Sequence, residues 1–287
     1  MNQLAQQIAN GIMAGSIYGL LAVALALIFG VLEISQFAIG AMAMLGGYVV
    51  QLLTGPTDYW IALAAATVAI AALGVVSQAV IFAPLRNAPP ATIFVASFGL
   101  LLVIQGSALV VFGPDPRTVE TAIEGGFVLF GASITYQRLM IVLVVLAAVI
   151  VLNWMLRSTP LGRRIQAVGQ SRTGAQVVGI SSARIALVTM GIGSALAGLA
   201  GGLLAPISQV YPTAGSDLVI KAFVIIVLAG MGSTTGALLA AYVIGLAESL
   251  GAAYISLDFT DLYSVVLLLV VLVLRPSGIF GKGVERA

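Results

Sequence analysis

Glu248, in Gly245-Leu-Ala-Glu-Ser249, is the acidic side chain set most deeply within an apolar run of this sequence. An ionisable group at membrane depth is costly unless it is paired or hydrated, so its surroundings must be polar. It is either a hydrogen-bonded or snorkelled carboxylate near the outer end of its helix or a residue at a water-filled cavity. Gln36, Ser97 and Gln105 are further candidates for a polar path, with Ser107 and Asn153 beside them. Amides and hydroxyls in apolar runs commonly bond neighbouring helices. The chemistry open to this set is binding and passage rather than bond making. The chain has no histidine and no cysteine, which removes thiol catalysis, Ser–His dyads, iron–sulfur clusters and most zinc sites. No catalytic residue, metal or cofactor is expected, and no paired-carboxylate site supports an enzyme.

Membrane helices must position these groups. Of 287 residues, 61% are hydrophobic and 8% charged, whereas roughly 25% charged is ordinary for a soluble domain. Apolar runs extend over Ile8 to Gly30, Phe37 to Leu53, Tyr59 to Ala83, Ala91 to Phe112 and Leu139 to Leu156. Others follow over Ile185 to Val210, Leu218 to Met231, Gly236 to Ile255 and Leu262 to Leu274. They are too long for barrel strands and lack the alternation of a lumen-facing strand. The runs ending at Met231 and Leu274 are short for a perpendicular crossing, so the expected fold is all-α: a polytopic membrane helix bundle with about eight or nine transmembrane segments. The first run lacks a basic leader and is long for a signal peptide, so it is read as a retained span. Residues 1–287 are expected to form one membrane domain with a cytoplasmic segment at about 157–184.

Placing that arginine-rich segment in the cytoplasm sets the other loops by counting crossings. The inner side then carries Arg86, Arg157, Arg163, Arg164, Arg172, Arg184, Arg275, Lys282 and Arg286 against Glu33 and Glu285. The outer side carries Asp58, Asp115, Glu120, Glu124, Asp217, Asp258 and Asp261 against Arg117, Arg138 and Lys221. That bias satisfies the positive-inside rule and puts the N-terminus outside and the C-terminus in the cytoplasm. The net charge of +2 gives no footprint for nucleic acid. The 33 glycines fall largely within spans. The strip from Gly191 to Gly202, with its Gly198-x-x-x-Gly202 pair, is either a static packing surface or a sliding one.

The segment 157–184 contains no acidic residue. Thr173 and Gln176 have the spacing of a capping box, and Gly179 stands where a glycine ends a helix. Ala175, Val177, Val178 and Ile180 could give that short helix an apolar face for a protein groove. Alternatively, the loop lies on membrane lipid with its arginines at headgroup phosphates.

Several stretches together resemble the permease subunits of bacterial ABC importers of the branched-chain amino-acid type. They are Leu27-Ile-Phe-Gly-Val31, Ile34-Ser-Gln-Phe-Ala-Ile-Gly40, Met44-Leu-Gly-Gly-Tyr48 and Ala83-Pro-Leu-Arg86. Further along come Gly162-Arg-Arg-Ile-Gln-Ala-Val168, Ala175-Gln-Val-Val-Gly-Ile180, Val227-Leu-Ala-Gly-Met-Gly-Ser233, Gly236-Ala237, Gly245-Leu-Ala-Glu-Ser249 and Arg275-Pro-Ser-Gly-Ile-Phe-Gly281. The resemblance implies a bacterial inner-membrane subunit that forms a gated path for branched-chain amino acids or a related small organic solute. It implies separate ABC ATPase subunits, a second homologous permease and an extracytoplasmic solute-binding protein. Gly162, Arg163, Arg164, Ala175, Val177, Val178, Gly179 and Ile180 then fall where the family docks on its ATPase, whose closure would rock the bundle. The chain departs from the family's Asn-Phe-Ala-His-Gly-Glu stretch at Gln36, Ile39 and Ala41. It has no Gly-x-x-x-x-Gly-Lys-[Ser/Thr] phosphate loop, since Gly281-Lys282 runs into Gly283. An ATP-independent channel or secondary transporter is the alternative, distinguished by uptake in ATP-free vesicles.

Overall fold

The computed structural model describes residues 2–129, 131–230, 232–275 and 278–280. Met231, Pro276, Ser277, Gly281, Lys282, Gly283, Glu285 and Arg286, with the N-terminal Met1, lie outside the described residues. The described helices begin with α1 (Asn2–Leu32), α2 (Ala38–Leu53), α3 (Tyr59–Ser77, continued by a π-turn at Gln78–Phe82), α4 (Pro90–Phe112) and α5 (Tyr136–Ser158). They continue with α6 (Pro160–Gln170), α7 (Arg172–Val177), α8 (Ser182–Leu204), α9 (Ala214–Ala229), α10 (Thr234–Tyr254) and α11 (Thr260–Leu274). Helices α1, α3, α4, α5, α8 and α10 are long and apolar enough to cross a membrane, and α2 and α11 are shorter apolar helices. Helix α9 has 16 residues and carries Asp217 and Lys221. The chain is a polytopic membrane helix bundle. A small antiparallel hairpin, β1 (Gly126–Leu129) with β2 (Ala132–Thr135), lies within the polar stretch before α5.

Local chemistry explains the boundaries. Helix α4 opens on Pro89-Pro90 and α6 on Pro160, where a missing N–H costs nothing in a first turn. The run expected to continue to Val210 stops as helix at Leu204, because Pro206, two residues on, cannot donate to the helical ladder. Helix α1 begins earlier than Ile8, since nothing in the polar Asn2-to-Gln7 stretch breaks it. At 31 residues it is about 46 Å long, enough to cross the hydrocarbon and project beyond it.

Helix α1 packs chiefly along α10 and also on α8, α9 and α5, while α8 packs on α3 and α2. Missing side chains permit these approaches. A Cβ on Gly46 of α2 would stand 2.8 Å from the Gly198 Cα, and one on Gly245 of α10 would stand 2.7 Å from the Gly15 Cα. Helix α4 is peripheral and touches the bundle mainly through α2.

The contacts divide the molecule into two faces. At one, Gln6 and Asn10 at the start of α1 bond Ser133 and Arg138, and Ser249 bonds Gln7. At the other, Arg172 donates to the Leu32 carbonyl at the end of α1. Arg157, Arg163, Arg164 and Arg184 belong to the second face, in or beside the segment between α5 and α8.

Candidate functional site

The chain leaves helix between α1 and α2, at residues 33–37. Glu33 adopts φ 57°, in the left-handed region that non-glycine residues seldom enter. Non-helical backbone at membrane depth must find partners within the protein or in water. Here Ser97 of α4 contributes: its hydroxyl accepts from the Phe37 N–H, which also reaches the Ser35 carbonyl at 3.1 Å, and donates to Gln36 Oε1 at 3.0 Å. Gln36 and Ser97 are both fully buried, and Gln36 Nε2 lies 3.8 Å from Met190 Sδ. The structure thus joins two residues 61 positions apart that the sequence marks only individually.

Phe37 adds an aromatic cluster. Its ring stacks on Phe223 of α9 at 4.3 Å and meets Phe94 and Phe98 of α4 edge-on at 4.7 and 6.4 Å. Phe94 and Phe98, one turn apart, were not singled out by sequence reasoning, although their spacing puts them on one helix face. Further along α4, Gln105 donates to Ser216 Oγ at 2.9 Å. It lines a cavity of about 460 Å³ with Leu102, Leu109 and Tyr211. The Tyr211 hydroxyl donates to Asp217 at 3.0 Å. Burial, and next the Asp217 carboxylate, push this phenol above its usual range.

Glu248 lies elsewhere. Its Oε1 is 2.7 Å from Lys221 Nζ, which also reaches Asp261 at 3.0 Å and stands 5.0 Å from the Tyr18 ring centroid. One cation therefore ties α9, α10 and α11 together against α1. Lys221, counted as an outer-side charge from sequence, is inside α9 and mostly buried. Of the two surroundings open to Glu248 from sequence, the structure shows a paired carboxylate, six residues before the end of α10.

The segment between α5 and α8 folds into two short helices. Thr159 caps α6 by accepting from Gly162 N–H at 3.0 Å, and Ile165 and Val168 anchor the helix in the core. Gly162 packs directly on the end of α5 at Met155 and Leu156. Arg163 and Arg164 point to the surface. The expected capping box at Thr173 and Gln176 does not form. Ser171 caps α7 instead, accepting from Gly174 N–H at 3.0 Å, because the helix begins at Arg172 and so places Thr173 inside its first turn. Gly179 has φ 79°, as a terminating glycine should. The expected single apolar face divides: Ala175 is buried and Ile180 partly buried, while Val177 and Val178 are 83% and 73% exposed. This leaves two adjacent valines standing outward on a capped, anchored support.

Residues 7–274 match the family described as the permease component of branched-chain amino acid transport systems. The high-affinity branched-chain amino acid permease protein LivH of Escherichia coli K12 is 31% identical over 293 residues, covering 96% of this chain and 95% of LivH. BraD of Pseudomonas aeruginosa, described in the same terms, is 30% identical over 294 residues, covering 96% of this chain and 95% of BraD. The LivM permease protein of Escherichia coli K12 is 30% identical over 176 residues, covering 56% of this chain and 40% of LivM. No solved structure matches the chain. With a family match spanning nearly its whole length and a helical bundle to go with it, the chain belongs to the permease components of branched-chain amino acid transport systems.

Proposed function

We propose that this chain is one of two permeases in an ATP-driven importer of branched-chain amino acids or a related small organic solute. The observation that carries the reading is the exposed Val177–Val178 pair on a helix fixed by Ser171 and Ala175, within a chain of this permease family. Separate ATPase subunits cover these valines, with Arg163 and Arg164 beside them. The arginine-bearing face is cytoplasmic, and an extracytoplasmic binding protein delivers solute to the face bearing the β-hairpin. The N-terminus is accordingly outside and the C-terminus inside, in the bacterial inner membrane.

The path follows α4. Gln105 stands at its outer cavity, and the Gln36–Ser97 pair with the Phe37 cluster closes it. Glu248 acts through Lys221 as a clamp between helices rather than on the solute. ATPase closure moves α6 and α7, and the break between α1 and α2 transmits the movement to the closure. The test is uptake of labelled leucine by proteoliposomes holding the assembled complex. Uptake should require ATP and should fall in Gln36→Leu. Uptake down a gradient without ATP overturns the reading, and indifference to Gln36→Leu overturns the path.

A further inference from the structure

A cavity of about 730 Å³ opens on the arginine-bearing face, where α1 and the π-turn of α3 end and α8 begins. Its lining has two parts. Arg86, Arg172, Gln78 and Ser182 make one polar, and Phe82 and Ile93 belong to the apolar other; no acidic residue lines it. Neither arginine forms an ion pair among the described residues, and Arg172 gives only one nitrogen to the Leu32 carbonyl. Helix α8, 23 residues long, starts at this wall; Ser181 caps its Arg184 N–H, and the N–H groups of Ser182 and Ala183, with the positive dipole end, add to the field.

Gln78 supplies an independent sign of a ligand. It is 5% exposed, it lines the cavity, and its Oε1 has no partner; Ser182 Oγ has none either. Buried polar atoms left unpaired carry a desolvation cost that a bound group recovers. Gln78 also opens the π-turn, a local distortion that recurs at functional positions.

We propose that this cavity holds an anionic phospholipid, with its phosphate on Arg86, Arg172 and the start of α8, and its chain against Phe82 and Ile93. A glycerol headgroup hydroxyl supplies the donor that Gln78 Oε1 lacks. Two features favour a lipid over free phosphate: the apolar side chains in the cavity wall, and its position where α1 and α3 end and α4 and α8 begin, since the ends of spanning helices are where headgroup phosphates lie. Because Arg172 belongs to α7 while Gln78 belongs to the end of α3, the lipid ties the outlying segment to the membrane body. The proposal does not depend on what the protein transports.

The test is native mass spectrometry of the full chain released from phosphatidylcholine vesicles containing a minor fraction of phosphatidylglycerol. One phosphatidylglycerol should be retained with a preference of about twenty-fivefold over phosphatidylcholine, at about fivefold for each arginine. Arg86→Gln with Arg172→Gln should abolish the preference, while Arg157→Gln with Arg163→Gln should keep it. Ala79→Leu, which fills the cavity wall and spares both arginines, should also lose the lipid, so the result does not rest on one variant's folding. Preference that survives in both cavity variants overturns the proposal. So does displacement of the lipid by millimolar inorganic phosphate, which would make this a soluble-anion site.

Discussion

Lys221 and Glu248 are two charges taken from water and returned to each other, with Asp261 at the exposed edge. Breaking such a pair by removing one partner costs about 3–5 kcal/mol, whereas replacing both by apolar groups is often neutral. Lys221→Met should therefore sharply lower the thermal unfolding temperature in detergent, and adding Glu248→Leu should restore most of it. A double variant no better than the single would show that Glu248 has a role beyond pairing. The Gln36–Ser97 contact obeys the same logic with neutral groups. Ser97→Ala leaves Gln36 Oε1 without its partner and the Phe37 N–H with the Ser35 carbonyl at 3.1 Å, and should destabilise by about 1–3 kcal/mol. Chemical unfolding of the purified chain measures it, and an unchanged midpoint would mean that the break between α1 and α2 is held by other contacts. Sequence made Glu248, Gln36 and Ser97 conspicuous because polar atoms are rare in apolar runs. It did not reveal their partners, because pairing across 27 or 61 residues is a property of packing.

The helices themselves were legible wherever apolar length decided them, and mistaken where a single residue did. Pro206 ends α8 early, and Ser171 rather than Thr173 caps α7. Glycines set how closely the helices meet. Gly46→Leu should disrupt the α2–α8 contact, since its Cβ alone would press on Gly198, and the variant should aggregate or fail to insert. Gly99 of α4 has open space around its Cβ position, so Gly99→Ala should instead stabilise that helix by about 0.5–1 kcal/mol. Comparison of the two by size-exclusion profile and thermal unfolding checks whether close approach is what these glycines provide. At α7, Val177→Asp with Val178→Asp removes the apolar pair without touching the core. The chain should still insert and remain monodisperse but lose the ATPase subunits proposed to cover these valines on purification; retained ATPase would place docking elsewhere.

At the scale of the molecule, charge separates the two faces, and the helical contacts place the start of α1 on the face of the β-hairpin. Absence of cysteine makes the sidedness directly measurable, since any introduced thiol is the only one present. Asp115→Cys should react with a membrane-impermeant maleimide in intact cells, and Arg163→Cys only after the cells are opened. The reverse pattern would invert the molecule and with it the proposed docking face. Composition alone carried the fold class, and the loop charges carry the orientation proposed above, but neither contains the cavity at Arg86 and Arg172, which exists only once α3, α7 and α8 are brought together. The central claim is that this bundle is a path driven by another subunit's ATP hydrolysis. Its most direct test is gentle purification of the chain from its native membrane, with identification and stoichiometry of what stays bound. The account predicts an ATP-hydrolysing subunit and a second permease in fixed ratio; the chain recovered alone, and moving solute in vesicles without ATP, would contradict it.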